Sequence, residues 1–427
     1  MKEYSMVGKS IPRTDAPLQV TGRQIYGEDM YRPNMLIAKA RYSDYMHARI
    51  KRIDISRAEK MPGVRAVITH RDIPFNHNGS GIYGVLDQPV LAEDKVYYRG
   101  DAIAVVAAET REQAEAAAGA VEIDYDPLPA VFSVEDAIVP DAPLVHPECG
   151  SSNISHHLRI RDGDTSERMF DGCDCIVERT YHTQKVDHAP IEPHVALAEF
   201  AEDGHLIITT STSRPFNYLG VMTSIMQMPA SDIRIKSAAV GGAFGGKNEI
   251  TMEPWIAILA KKTGRPVKIV FTREEDLNTS TIRHAYKMIY KTGASKDGKL
   301  LANQVTIWAD SGAYLGLGKS TLTKATVHVC GPYYFRNVKV DSYLVYTNAL
   351  IGSSMRGMGI PQVCFAIESQ LDILAEELGM DRFDLRRANM FDHLGHLPNG
   401  QMISGGPMRG TFERAWEIFN DKSRWKD

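Results

Sequence analysis

The chain has 427 residues, 43% hydrophobic and 24% charged, and a net charge of −4 from 49 basic and 53 acidic side chains. That balance suits roughly two to three soluble domains with a sizeable core, and it argues against nucleic-acid binding, which needs a concentrated basic footprint. The opening Met1-Lys2-Glu3-Tyr4-Ser5 has no apolar secretory core, and runs such as Ala102 to Ala108 are too short to span a membrane, so a cytoplasmic protein is expected.

The first α/β unit reads from about residue 20 to 130. Leu36 to Tyr42 begins as a strand, and Val64 to Thr69 follows the Pro62-Gly63 turn signal. Ala102 to Ala107 is a continuous apolar run, as a fully buried strand would be. A helix follows it, with Thr110 as cap and Glu112 in its first turn. Val121 to Tyr125 alternates as a half-buried strand. From Pro127 to Gly172 the Pro-, Asp- and Ser-rich composition predicts a surface connector.

A second α/β region opens near Cys175. Strands are predicted at Leu206 to Thr210, Ile233 to Lys236 and Val267 to Phe271. Helices are predicted at Leu219 to Met228, Glu249 to Lys262, Phe365 to Leu378 and Thr411 to Asn420. Tyr286 to Ala309 reads as a hairpin turning at Asp297-Gly298. The fold class is α+β, a mixed α/β protein, divided as 1–135, a connector at 136–175, and 176–427.

Five scattered cysteines, with Cys173-x-Cys175 the only close pair, support neither a disulfide framework nor a four-ligand zinc or iron–sulfur site. They are expected as small buried hydrophobes.

Three motifs carry chemistry. Gly241-Gly242-Ala243-Phe244-Gly245-Gly246-Lys247 fits a phosphate loop up to the lysine, but Asn248 stands where that loop needs a magnesium-binding hydroxyl. A second near-miss, Gly316-Leu317-Gly318-Lys319-Ser320, has Ala313 in place of the first glycine. Phe244 is ill-suited to a phosphate cradle and well suited to a flat ligand. In Ser354-Met355-Arg356-Gly357-Met358-Gly359, the flanking glycines leave the arginine fork free to meet an oxygen-rich ligand, although the motif alone fits a surface arginine paired with an acid better. His188-Ala189-Pro190-Ile191-Glu192-Pro193-His194 has no standard metal spacing and reads as a rigid buried turn.

In order and spacing these motifs resemble the molybdenum hydroxylases, the xanthine dehydrogenase/aldehyde oxidoreductase family. Thr263-Gly264-Arg265-Pro266, Arg283-His284 and Leu385-Arg386-Arg387 support the resemblance. It implies an N-terminal hammerhead domain at 1–135 and the first half of the molybdopterin-binding region at 176–427. It places Gly241, Gly242, Ala243, Phe244, Gly245, Gly246, Arg356 and Gly357 against the molybdopterin, with Phe244, Arg356 and Ser213 near the metal. Ser213 stands where the family usually has glutamine. On the substrate side it places Asn248, Lys324 and Met358, where purine-oxidising members have an acid, an arginine and an aromatic. Lys324 without a carboxylate at 248 favours an anionic substrate.

The family's catalytic glutamate lies in a Gly-Glu-Pro segment absent from these 427 residues. The resemblance therefore implies that a second molybdopterin subunit supplies the base and that iron–sulfur and FAD subunits carry the electrons. The expected chemistry is hydroxylation of a small aromatic acid, nicotinate, at ring carbon 6, with oxygen from water and electrons delivered to NADP. The expected cofactor is molybdopterin cytosine dinucleotide with molybdenum and a selenido ligand. Alternatives are a split aldehyde, purine or aromatic acyl-CoA hydroxylase, an ATP-binding protein, and an inactive scaffold fragment.

Overall fold

The computed structural model describes residues 4–78, 86–392, 394–404 and 408–421. Residues 1–3, part of the stretch on which the expectation of no secretory leader rests, lie outside them.

Two large sheets organise the chain. The first has seven strands, ordered Ile233–Ser237, Leu206–Thr210, Val195–Phe200, Val267–Val270, Leu36–Tyr42, Ala102–Ala108 and Val64–Thr69. Ala102–Ala108 is buried at every residue, which explains its unbroken apolar run. The helix Arg111–Gly119 packs on one face through Ala114, Ala117 and Ala118, and the Thr110 side chain caps it by accepting from the Gln113 N–H. Helices Pro215–Met226 and Glu253–Thr263 bury Met222, Ile225, Trp255, Ile256 and Leu259 against the other face.

This sheet crosses the expected divide at 135/176. Leu36–Tyr42 pairs in parallel with Val267–Val270, aligning Leu36 with Val267 and Ile37 with Lys268.

The second sheet orders Ile154–Asp162, Asn337–Tyr346, Leu300–Gly312, Tyr286–Ala294 and Cys175–Thr183. Its central hairpin turns where Asp297-Gly298 predicts, with Gly298 at φ +79°. Helices Gly318–Val327 and Ile360–Leu378 cover its buried face through Leu322, Ile367, Leu371 and Leu374. A small sheet of Lys95–Val96, Ala48–Asp54 and Glu122–Pro127 completes the N-terminal part.

Several boundaries differ from the sequence reading. Within the stretch read as a connector, Ile154–Asp162 is an edge strand with mostly half-buried residues, a burial too shallow to imprint clear alternation. The helix expected from Phe365 starts at Ile360, because Pro361 fits the first turn. The helix expected from Glu249 starts at Glu253, with Pro254 in its first turn. Of the cysteines only Cys330 is buried, and Cys149 is exposed; the expectation of five buried thiols fails because the other four lie in turns or at partly exposed element positions. Among the described residues no helix is long and apolar enough to cross a membrane.

Candidate functional site

The glycine loop leaves the strand Ile233–Ser237 of the first sheet, and the arginine loop 354–359 leads into the helix Ile360–Leu378 on the second. They meet at the seam between the sheets. The Arg356 N–H donates to the Phe244 carbonyl at 2.8 Å, and a Cβ on Gly245 would stand 2.5 Å from the Ser354 carbonyl oxygen. Only glycine allows this approach at φ +112°. Phe244 holds φ +53° and Met358 φ +44°, conformations that cost a side-chain-bearing residue strain.

The rear of the loop is locked. Lys247 has no exposed side-chain surface, and its ammonium donates to the Glu192 carboxylate at 2.7 Å and the Glu192 carbonyl at 2.8 Å. Burial pulls the Lys247 pKa down, and Glu192 opposes that pull. The same carboxylate accepts from the Gly241 N–H at 2.8 Å and the Gly27 N–H at 3.2 Å. His188 Nε2 lies 2.8 Å from the Ser354 carbonyl. His194 lies 3.1 Å from the Gly246 carbonyl through Nε2 and meets Asp276 through Nδ1. The segment read as a rigid buried turn is thus a strut that fixes both loops. Two buried histidines and a glutamate at turn-compatible spacing were its signal, but only the fold shows what they hold.

These contacts speak against either phosphate loop. Glu192 already holds the lysine of the first. In the second, Glu249 accepts from the Leu317 N–H at 3.2 Å and from the Ser353 hydroxyl, placing a carboxyl where a phosphate would sit. Burial raises the Glu249 pKa to about 7.

The front of the loop is open. Among the described residues the N–H groups of Gly242, Ala243, Phe244 and Gly245 have no protein acceptor, and the Arg356 guanidinium has no partner. The Phe244 ring is 48% exposed, and Arg356 and Gly357 are exposed. Arg283, which sequence reading placed only as a family match, donates to the Arg356 carbonyl at 2.8 Å and to Gln362 Oε1 at 3.2 Å, and so holds the arginine loop from below.

The remaining expected residues gather around this face. The Ser213 N–H donates to the Lys247 carbonyl at 3.2 Å, and its side chain is exposed. Asn248 Nδ2 donates to Ser354 Oγ at 3.2 Å. Lys324, on the helix Gly318–Val327, lies 3.4 Å from the Met358 sulfur. Beside Asn248 opens a cleft of about 670 Å³, also lined by Arg214, Phe216, Glu249 and Lys319. The cleft is not legible in the sequence because its walls come from short segments spread between residues 75 and 319.

A distant set, His146, Glu148 and Cys149, brings three ligand-type atoms within 4.8 Å. His146 is already engaged there, with Nε2 at 2.7 Å from the Ala313 carbonyl and Nδ1 at 2.7 Å from Glu148.

An exposed aromatic among free backbone donors, with an unpaired guanidinium across a seam of two sheets, suits a flat, oxygen-rich cofactor. Residues 145–390 match the molybdopterin cofactor-binding domain, and residues 21–129 match the aldehyde oxidase and xanthine dehydrogenase a/b hammerhead domain. The chain belongs to this molybdenum hydroxylase family as a molybdopterin-binding subunit. It is 38% identical to the nicotinate dehydrogenase large molybdopterin subunit of Eubacterium barkeri over 419 residues, 97% of each chain. It is 33% identical to the aldehyde oxidoreductase of Megalodesulfovibrio gigas over 407 residues, 92% of this chain and 44% of that one. The solved aldehyde oxidoreductase of Desulfovibrio desulfuricans superposes with a TM-score of 0.92 at 29% identity, covering 98% of this chain and 47% of that one. The chain thus spans nearly all of the first relative and a little under half of the other two. The expected α+β class with hammerhead and molybdopterin-binding regions agrees with these matches.

Proposed function

We propose that the chain is the large molybdopterin subunit of a hydroxylase acting on nicotinate at ring carbon 6. The observation that carries this reading is the open face where Phe244, the Gly242–Gly245 amides and Arg356 converge beside Lys324, with no carboxylate at position 248. Gly241 and Gly246 fix the ends of the loop, Phe244 supplies a ring for the flat pterin, and Arg356 with Gly357 meets its oxygen-rich edge. Ser213 sits shorter than a glutamine would, so its hydroxyl acts through water. When bound, the molybdenum–pterin group supplies a water-derived oxygen and takes two electrons from the substrate.

Lys324 attracts the substrate carboxylate, Met358 offers an apolar, polarisable wall, and Asn248 is neutral toward the ring. Proton removal needs a base. A second molybdopterin subunit is assigned that base, consistent with the similarity to a relative named as a large molybdopterin subunit. Iron–sulfur and FAD subunits carry electrons to NADP. The cytosine dinucleotide form, the selenido ligand and a cytoplasmic setting complete the reading.

The test is to purify the native complex, count its subunits, measure molybdenum and selenium, and assay nicotinate, xanthine and aldehydes. The expected outcome is molybdenum-dependent release of 6-hydroxynicotinate. Turnover of xanthine or an aldehyde without nicotinate oxidation would replace this substrate, and a complex without molybdenum would overturn the reading.

A further inference from the structure

The cleft beside Asn248 is lined by Arg214, Lys319 and His156, among others. Among the described residues neither cationic head group has an ion-pair or hydrogen-bond partner. His156 Nδ1 is buried without a partner, and burial together with Lys319 keeps the ring's pKa below its usual range, so the ring stays neutral.

The acids of the cleft, by contrast, are engaged. Asp87 accepts from the Leu315 N–H at 2.7 Å and the Tyr346 hydroxyl at 3.1 Å. Glu249 is occupied by the Leu317 N–H and the Ser353 hydroxyl, and at pH 7 burial leaves it only partly charged. Neutral donors leave a carboxylate its charge and Arg214 acts electrostatically on Glu249, so the positive excess in the cleft is that of Arg214 and Lys319 over Asp87 and a partly charged Glu249. Phe216, 86% exposed, and Phe75 add aromatic surface on the same walls. A volume of about 670 Å³ lies within the usual range for small-molecule sites.

We infer that this cleft is a capture site for aromatic carboxylates, with Arg214 and Lys319 as the cations that select an anionic ring on its way to the Phe244–Lys324 face. The inference rests on the proposed hydroxylation of an aromatic acid. Arg214 presents a planar fork matched to a carboxylate, Lys319 adds a point charge, and Phe216 and Phe75 take the ring. Because the two cations are partly exposed to solvent, their action shows mainly in capture and weakens with salt.

The test uses the complete complex with Arg214→Gln and Lys319→Gln, singly and together, after molybdenum content and circular dichroism show the variants intact. The readout is kcat/KM for nicotinate relative to uncharged nicotinamide. The expected result is a fall in that ratio of about ten-fold in the double variant, with kcat for nicotinate changed less than two-fold and Arg214→Lys/Lys319→Arg restoring the ratio. A ratio within two-fold of the parent overturns the inference. If the parent complex does not oxidise nicotinate, the proposed function fails while the cleft stays testable by equilibrium dialysis with nicotinate and benzoate. Weaker binding in the double variant then supports the capture site, and equal binding overturns it.

Discussion

Lys247 shows how little a residue's motif can say about its task. Its sequence neighbours match a phosphate loop up to the lysine, with only Asn248 and Phe244 against it, and its ammonium is buried against Glu192. Breaking such a pair leaves a buried charge without compensation, so Glu192→Gln should lower unfolding free energy by about 3–5 kcal/mol in urea titrations. A change under about 1 kcal/mol would mean that Lys247 finds water or another partner.

Glu249 makes a second prediction at this scale. Burial raises its pKa from 4.5 to about 7, so between those values the folded chain holds a proton that the unfolded chain releases. Its contribution to stability is therefore greatest below pH 4.5, declines as pH rises through the window, and is flat above about 7. The stability of Glu249→Gln relative to the parent should rise across that window. Asp101, also raised to about 7, is present in both proteins and cancels from the comparison. Denaturation midpoints that run parallel in the two proteins from pH 4.5 to 8 would refute the assignment.

At the scale of elements, the meeting of the glycine and arginine loops depends on Gly245. An alanine there combines φ +112° with a Cβ 2.5 Å from the Ser354 carbonyl, a backbone clash that no rotamer relieves. Gly245→Ala should keep its secondary structure by circular dichroism while losing most of its molybdenum. Retention of full metal content would show that the loops need not touch. Legibility in the sequence follows the same line. The Ala102–Ala108 strand and the Asp297-Gly298 hairpin were readable because burial and turn chemistry are local. The edge strand Ile154–Asp162 and the start of the helix at Ile360 were not, because partial exposure blurs one and a first-turn proline mimics a break in the other. For the site, the glycine and arginine loops were visible as composition. The segment 188–194 was readable as a rigid buried turn, but not what it holds, since Ser354 lies 166 residues from His188; the cleft was not readable, its walls running from residue 75 to 319.

At the scale of the molecule, the seven-stranded sheet joins chain segments that composition divides. Leu36–Tyr42 and Val267–Val270 share a parallel edge, and Leu36 is fully buried. A fragment of residues 176–427 would expose the apolar edge of Val267–Val270 and lose Ile154–Asp162 from the second sheet. Such edges recruit other chains. The fragment should therefore be recovered as aggregate, read by gel filtration and circular dichroism, and a monodisperse, folded fragment would contradict this account.

The grip of His188, His194 and Glu192 on the glycine and arginine loops has a consequence for maturation. His194 and Glu192 hold the glycine loop and His188 holds the adjoining arginine loop, all through protein groups, so the course of both is set by the fold. This chain's share of the seat is thus shaped by its own residues. If these contacts outlast loss of the pterin, cofactor-depleted complex should regain molybdenum on incubation with the free cofactor, and failure to reload would show that the loops need their ligand to keep this course.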